Sequence, residues 1–171
     1  MLNFIPTRIA FVLIAVACAS LLGYGLYLQH VEWLDPCPLC ILQRIGFMLI
    51  AFFALLAAIH DPGPRGRRVY GTMILLSAGF GGGVAGWHAR MQSLPADLIP
   101  ECGPGLGYML ENFPFWDAVR NVFEGSGSCA EVDWMFLGLS MPWWSLFWFI
   151  GLGAVTLVIL LRNTPRKSRD K

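Results

Sequence analysis

Four long apolar runs within 171 residues constrain this chain more than any other feature. Ile9 to Leu28 contains no charged residue. At about 1.5 Å per helical residue it extends about 30 Å, the thickness of a bilayer's hydrocarbon core. Ile45 to Ile59 is also apolar, and Ile41, Leu42, Gln43 and Arg44 lengthen it enough to cross. Val69 to Trp87 and Trp143 to Leu161 are the third and fourth runs. The pattern predicts spans over 9–28, 41–59, 69–87 and 143–161. Only 13% of the residues are charged, against about 25% in a soluble domain. The net charge of +1, with no basic block away from the ends of the runs, argues against a nucleic-acid partner. The expected fold is all-α, a single integral membrane four-helix bundle over residues 1–171 with lipid around it.

The first run raises the question of a signal peptide, because Ala17-Cys18-Ala19 imitates a small-residue cleavage site and Ala15-Val16-Ala17-Cys18 a lipoprotein one. The apolar run continues past Cys18 to Leu28, longer than the roughly 7–15 residues of a signal-peptide core. It is therefore expected to remain as a membrane anchor.

Positive charge sets the orientation of such a bundle. Arg8, the Arg65/Arg67/Arg68 group between the second and third runs, and Arg162, Arg166, Lys167, Arg169 and Lys171 lie on one side; they are nine of the chain's 12 basic residues. Glu32, Asp35, Asp97, Glu101, Glu111, Asp117, Glu124, Glu131 and Asp133 lie on the other. Both termini are thus expected in the cytoplasm, with loops 29–40 and 88–142 outside. The first outer loop carries Cys37-Pro38-Leu39-Cys40 and the second carries Cys102 and Cys129, on the face where disulfides persist. Within the second loop, Phe115, Trp116, Val119, Val122 and Phe123 recur at helical spacing, so Pro114 to Phe123 is expected to form a short amphipathic helix. It would lie in the interface or pack on the tops of the spans. Gly125-Ser126-Gly127-Ser128 gives Cys129 a flexible approach.

Cys40 falls where the second span begins, and unsatisfied backbone N–H groups there favour an anion. Arg44 follows one helical turn later on the same face. A helix N-terminus and a cation both favour the thiolate, which is the reactive form of cysteine. A charge bordering hydrocarbon is costly, so Arg44 needs a reason to be there. Two structural disulfides are the plainer explanation of four loop cysteines, yet a bridge closing so tight a loop as 37–40 constrains little of the unfolded chain. Zinc held by four thiolates is disfavoured because 26 residues separate Cys102 from Cys129. Two pairs facing outward, one of them at the membrane surface, fit a thiol–disulfide relay. A relay ending in the membrane calls for a lipid-soluble electron acceptor, for which a quinone is suited.

The run Cys37-Pro38-Leu39-Cys40-Ile41-Leu42-Gln43-Arg44 resembles the disulfide bond formation protein B (DsbB) family. The resemblance continues through His88 and Gln92, the Cys102/Cys129 pair, Ser128 to Trp134 and Phe136-Leu137-Gly138-Leu139-Ser140-Met141-Pro142-Trp143. It implies an enzyme of the bacterial inner membrane, a protein-dithiol:quinone oxidoreductase. Its partner would be a periplasmic thioredoxin-like dithiol oxidase (DsbA) and its acceptor ubiquinone or menaquinone. By position, the partner's thiolate attacks Cys102 of a Cys102–Cys129 disulfide, and Cys129 then attacks Cys37 and releases Cys40. Cys40 faces the quinone ring and forms a charge-transfer adduct, Arg44 supports the thiolate and the quinone oxygen, and His88 lies near the head group. Some family members carry an acidic residue where this chain has Gln43, which leaves Arg44 less neutralised.

Two other readings compete. A vitamin K epoxide reductase-like enzyme also combines four spans, CxxC and a quinone, but here the long loop with its cysteines comes between the third and fourth spans. A non-enzymatic scaffold would hold its loops by static disulfides. Trp33, Trp87, Trp143, Trp144 and Trp148 suit an aromatic belt, and Gly79-x-x-x-Gly83 and Gly82-x-x-x-Gly86 suit close packing of the third span. Cys18, inside the first span, reads as a small packing residue. Cys18→Ala is accordingly expected to leave turnover intact; lost turnover at normal protein levels would contradict that.

Overall fold

A computed structural model of the chain describes residues 6–33, 37–93 and 134–161. Four helices dominate it: α1 (Thr7–His30), α2 (Pro38–His60), α3 (Pro64–Met91) and α4 (Met141–Leu161). Each is long and apolar enough to cross a membrane. Helices suit that setting because every backbone N–H and C=O inside one is satisfied locally. Consecutive helices pack together, α1 on α2, α2 on α3 and α3 on α4, whereas α1 and α4 barely touch. The bundle is therefore open along one seam.

The helices start earlier than the apolar runs. Prolines at the first helical positions of α2 and α3, Pro38 and Pro64, explain this; a proline lacks only an N–H that would have no intrahelical acceptor there. Arg65, Arg67 and Arg68, expected in a loop, consequently lie in the first turns of α3. The α2–α3 connection shrinks to Asp61-Pro62-Gly63, with Asp61 in the left-handed region (φ 42°) to end α2. At this end Arg67 Nη1 donates to Thr7 Oγ1 at 3.2 Å, joining the starts of α1 and α3.

Ahead of α4, Met135–Phe136 and Leu139–Ser140 pair as a two-stranded antiparallel hairpin, an element the sequence pattern did not announce. Leu137 (φ 53°) and Gly138 (φ 79°) form its turn. Positive φ at both central residues matches the twist of a two-residue hairpin, although the leucine costs about 1–2 kcal/mol there. Trp144 Nε1 donates to the Phe136 carbonyl at 3.2 Å, and Ser140 Oγ donates to Gln92 Oε1 at 2.6 Å. The hairpin is thus fastened to both α4 and the end of α3.

Phe11, Ile14, Cys18, Phe47, Ile50, Ile74 and Phe149 are among the residues that form the core. Cys18 is fully buried in it. At mid-height the Phe149 ring stacks on Phe47, with centroids 4.1 Å apart, and lies over Gly81. A Cβ at Gly81 would fall 2.2 Å from Phe149 Cζ, and one at Gly46 would fall 3.1 Å from the Gly81 Cα. The two helices and the ring meet here because neither backbone carries a side chain. Of the two glycine pairs expected to pack, Gly82 does meet the fourth helix, a Cβ there falling 3.5 Å from Phe149 Cβ, whereas a Cβ at Gly79, Gly83 or Gly86 would meet nothing within 4 Å. At about 100° per residue, Gly79 and Gly83 turn outward while Gly81 turns inward.

Gly81→Leu should displace Phe149 and cost about 1–3 kcal/mol, the range for overpacking, whereas Gly83→Ala should be close to neutral. Thermal unfolding in detergent micelles measures the difference, and equal midpoints would contradict the Gly46–Gly81–Phe149 contact.

Candidate redox site

Cys37 and Cys40 lie at one end of the bundle, at the very start of α2. Cys37 is the residue that caps the helix, and its sulfur accepts the Cys40 backbone N–H at 3.3 Å. A sulfur replaces the usual cap oxygen and satisfies one of the donors that a helix N-terminus exposes. The two sulfurs are 3.1 Å apart as thiols. One turn of helix thus holds both reactive atoms together, with fixed Pro38 and fully buried Leu39 between them.

From Cys40 onward, α2 divides its side chains between two directions. Gln43 turns toward α3, where its Nε2 donates to His88 Nδ1 at 3.0 Å. Both residues are buried, 4% and 2% exposed, so this amide–imidazole contact is well shielded from solvent. The other ring nitrogen of His88, Nε2, is 3.8 Å from Cys37 Sγ. His88 belongs to the cysteine cluster, on the α3 side of Cys37.

Arg44 turns the other way, toward α1. Its guanidinium donates to the Gln29 side-chain oxygen and, at 3.0 Å, to the Gly25 carbonyl. Hydrogen bonds to a charged group are worth about 1.5–3 kcal/mol each, which offsets the cost of holding a half-buried cation beside hydrocarbon. Neither α1 partner is acidic, so the side chain keeps its positive charge uncompensated by a carboxylate among these contacts.

Cys40, Gln43 and Arg44 share the wall of a cavity of about 330 Å³. Leu21, Leu22, Tyr24 and Gly25 of α1 form one side and Met141, Trp144, Ser145 and Trp148 of α4 the other, with Phe47 at the floor side. Trp134 and Phe136 of the hairpin segment close the end, stacked at 5.9 Å on one another. The cavity occupies the seam between α1 and α4. Its size is in the range of small-molecule sites, which are mostly apolar with a few placed polar groups. Two tryptophans expected only in an aromatic belt, Trp144 and Trp148, are therefore cavity walls as well. His88 does not line it.

The structure brings Cys37, Cys40, Arg44 and His88 to one end of the bundle within two turns of helix. Cys102, Cys129 and the Pro114–Phe123 helix lie outside the described residues. Sequence reasoning missed three contributors: Gln43 as the partner of His88, Gln29 as the partner of Arg44, and the Trp134–Phe136 wall. The succession of Gln43 and Arg44 on a helix that passes through Cys40 was the available signal, since neighbours in a helix point about 100° apart.

Comparison with known proteins identifies the family. The family model of the disulfide bond formation protein DsbB matches residues 7–159. A disulfide bond formation protein B from Azoarcus sp. (strain BH72) is 49% identical over 162 residues, covering 95% of both chains. Proteins of the same name from Chromobacterium violaceum and Marinobacter nauticus are each 46% identical, covering 93% and 94% of this chain and 96% of theirs. With its four membrane-crossing helices and a dithiol at the head of the second, this chain belongs to the DsbB family of disulfide bond formation proteins.

Proposed function

We propose that this chain reoxidises a periplasmic thioredoxin-like dithiol protein of the DsbA type and passes the two electrons to a membrane quinone. The observation that carries the acceptor half is the cavity: Cys40 and Arg44 lie side by side on the wall of a largely apolar pocket at the α1–α4 seam. A flat, lipid-soluble ring between aromatic side chains suits those walls, and the guanidinium offers N–H donors to a ring oxygen. When bound, the quinone supplies a two-electron, two-proton sink. In this reading both termini are cytoplasmic, as the arginines at the starts of α1 and α3 favour, and the cysteine end faces the bacterial periplasm.

The chain's own residues then act in sequence. A thiolate of the reduced partner attacks Cys102 Sγ, breaking the Cys102–Cys129 disulfide and releasing Cys129 as a thiolate. Cys129 attacks Cys37 Sγ, breaking the Cys37–Cys40 disulfide and releasing Cys40 as a thiolate. The partner's second thiolate attacks its own sulfur in the mixed disulfide, leaves oxidised and returns Cys102 as a thiolate. Cys102 then attacks Cys129, which restores the Cys102–Cys129 disulfide and leaves Cys37 and Cys40 reduced. Each step breaks one disulfide and forms one, so two are present throughout, and the two electrons reach the pair beside the cavity. Cys40 is placed to deliver them: it lines the cavity, at a helix N-terminus that favours its thiolate, with Arg44 one turn on. Reforming the Cys37–Cys40 disulfide completes the cycle across a gap of only 3.1 Å.

Quinone reduction by the purified chain, followed by ultraviolet absorbance with a reduced thioredoxin-like dithiol oxidase as donor, tests this. Cys40→Ser should abolish turnover, and Arg44→Ala should lower kcat/KM about 10- to 100-fold, as expected for losing a charge-assisted hydrogen bond. No turnover with either ubiquinone or menaquinone, with all four loop cysteines remaining disulfide-bonded, would favour a static scaffold instead.

A further inference from the structure

We propose that the dithiol form of this chain is also a metal site, binding one thiophilic divalent cation of the zinc type through Cys37 Sγ, Cys40 Sγ and His88 Nε2. All three atoms lie within 4.8 Å of one another, with the sulfurs 3.1 Å apart and His88 Nε2 3.8 Å from Cys37 Sγ. Tetrahedral zinc with Zn–S near 2.3 Å and Zn–N near 2.0–2.1 Å requires ligand separations of about 3.8 Å for sulfur–sulfur and about 3.5 Å for sulfur–nitrogen. To reach that geometry the sulfurs open by about 0.7 Å, Cys37 and His88 close by about 0.3 Å, and Cys40 and His88 close by at most about 1.3 Å. The spacing of the four loop cysteines disfavours a four-thiolate site; the third ligand here comes instead from α3, 51 positions after Cys37.

The surroundings suit a ligand histidine. Metal-bound imidazoles are oriented by a partner on the other ring nitrogen, and Gln43 is that partner at 3.0 Å from His88 Nδ1. The amide serves a metal-bound ring by presenting its oxygen to Nδ1–H, a rotation of the side-chain end that keeps the contact. Two thiolates balance a divalent charge, as a half-buried site beside hydrocarbon requires. The Arg44 guanidinium, on the same cavity wall as Cys40, is held by its hydrogen bonds to α1. With three protein ligands the fourth position is left for a water, as in open rather than closed zinc sites.

Binding releases the two thiol protons and transfers no electrons; the histidine binds neutral. In the oxidised chain the two sulfurs are bonded to each other and offer no thiolate. The site therefore exists in one redox state only, and the cation competes with any electron acceptor for the same dithiol. This requires a reduced Cys37/Cys40 pair but no quinone, so it stands or falls separately from the proposed activity.

The full-length Cys102→Ser/Cys129→Ser variant, which removes the other loop thiols, is reduced, freed of reductant and titrated with Zn²⁺ against a chromophoric chelator. One Zn²⁺ per reduced chain and none per chain oxidised at Cys37–Cys40 is the expected result. Co²⁺ in place of Zn²⁺ should give the intense visible bands of a tetrahedral site with sulfur-to-metal charge transfer. Gln43→Leu should weaken Zn²⁺ binding about 10- to 100-fold, the usual cost of losing such an orienting partner, and His88→Ala at least as much. X-ray absorption on the zinc-loaded parent variant reports the ligands without the histidine substitution, with two sulfurs near 2.3 Å and a nitrogen near 2.0–2.1 Å expected. Equal affinity in His88→Ala, equal zinc on the oxidised chain, or a shell without sulfur would each overturn the site.

Discussion

Hydrocarbon offers a backbone no hydrogen-bond partner, and most of what is seen in this chain follows from that. Helix is the way four consecutive segments can each satisfy their own N–H and C=O groups, and helices leave unsatisfied groups only at their ends. Reactive and polar chemistry is accordingly gathered at the ends. The dithiol sits at the N-terminus of α2, His88 near the C-terminus of α3, and the hairpin at the start of α4. Mid-height, where no such groups exist, contact is made by shape alone, as where the Phe149 ring rests on two glycines.

A second consequence is that α2 works as a partition. One turn from Cys40 it bonds Gln43 to the buried His88 of α3 and Arg44 to α1, while both also line the cavity. The two sulfurs straddle the division: Cys37 is in contact with the imidazole, and Cys40 is on the cavity wall. A pair of like atoms three residues apart is thereby given two unlike environments, one beside an imidazole and the Leu39, Val84 and Met91 cluster, the other on the cavity wall. That asymmetry matters for a dithiol whose members have different tasks, and it arises from helix geometry rather than from any unusual backbone.

The number of spans, their helical character and the placing of Cys40 and Arg44 on one face were legible in the sequence because each depends on residues near one another in the chain. Helix ends were less so: Pro38 and Pro64 extend α2 and α3 beyond their apolar runs, and hydropathy is blind to a proline that happens to be well placed. Facing partners were the least legible. Which glycine meets Phe149, or that Gln43 meets His88, depends on the rotation of α3 against α2, and a helix apolar on every side gives no stripe from which to read it. The hairpin escaped notice because Leu137-Gly138 lacks the Asn-Gly or Asp-Gly signature of such turns.

The capping of α2 by Cys37 joins oxidation state to helix fraying. The sulfur that receives the Cys40 N–H is one of the two that change bonding when the pair is oxidised. A thiolate is a far better acceptor for that N–H, and a better match to the positive end of the helix, than a disulfide sulfur. The free energy of ordering the first turn therefore differs between the two redox forms. By thermodynamic reciprocity, whatever tightens that turn also shifts the pair's reduction potential. The end of a helix, usually its least determined part, here becomes a lever on the poise of the pair it carries.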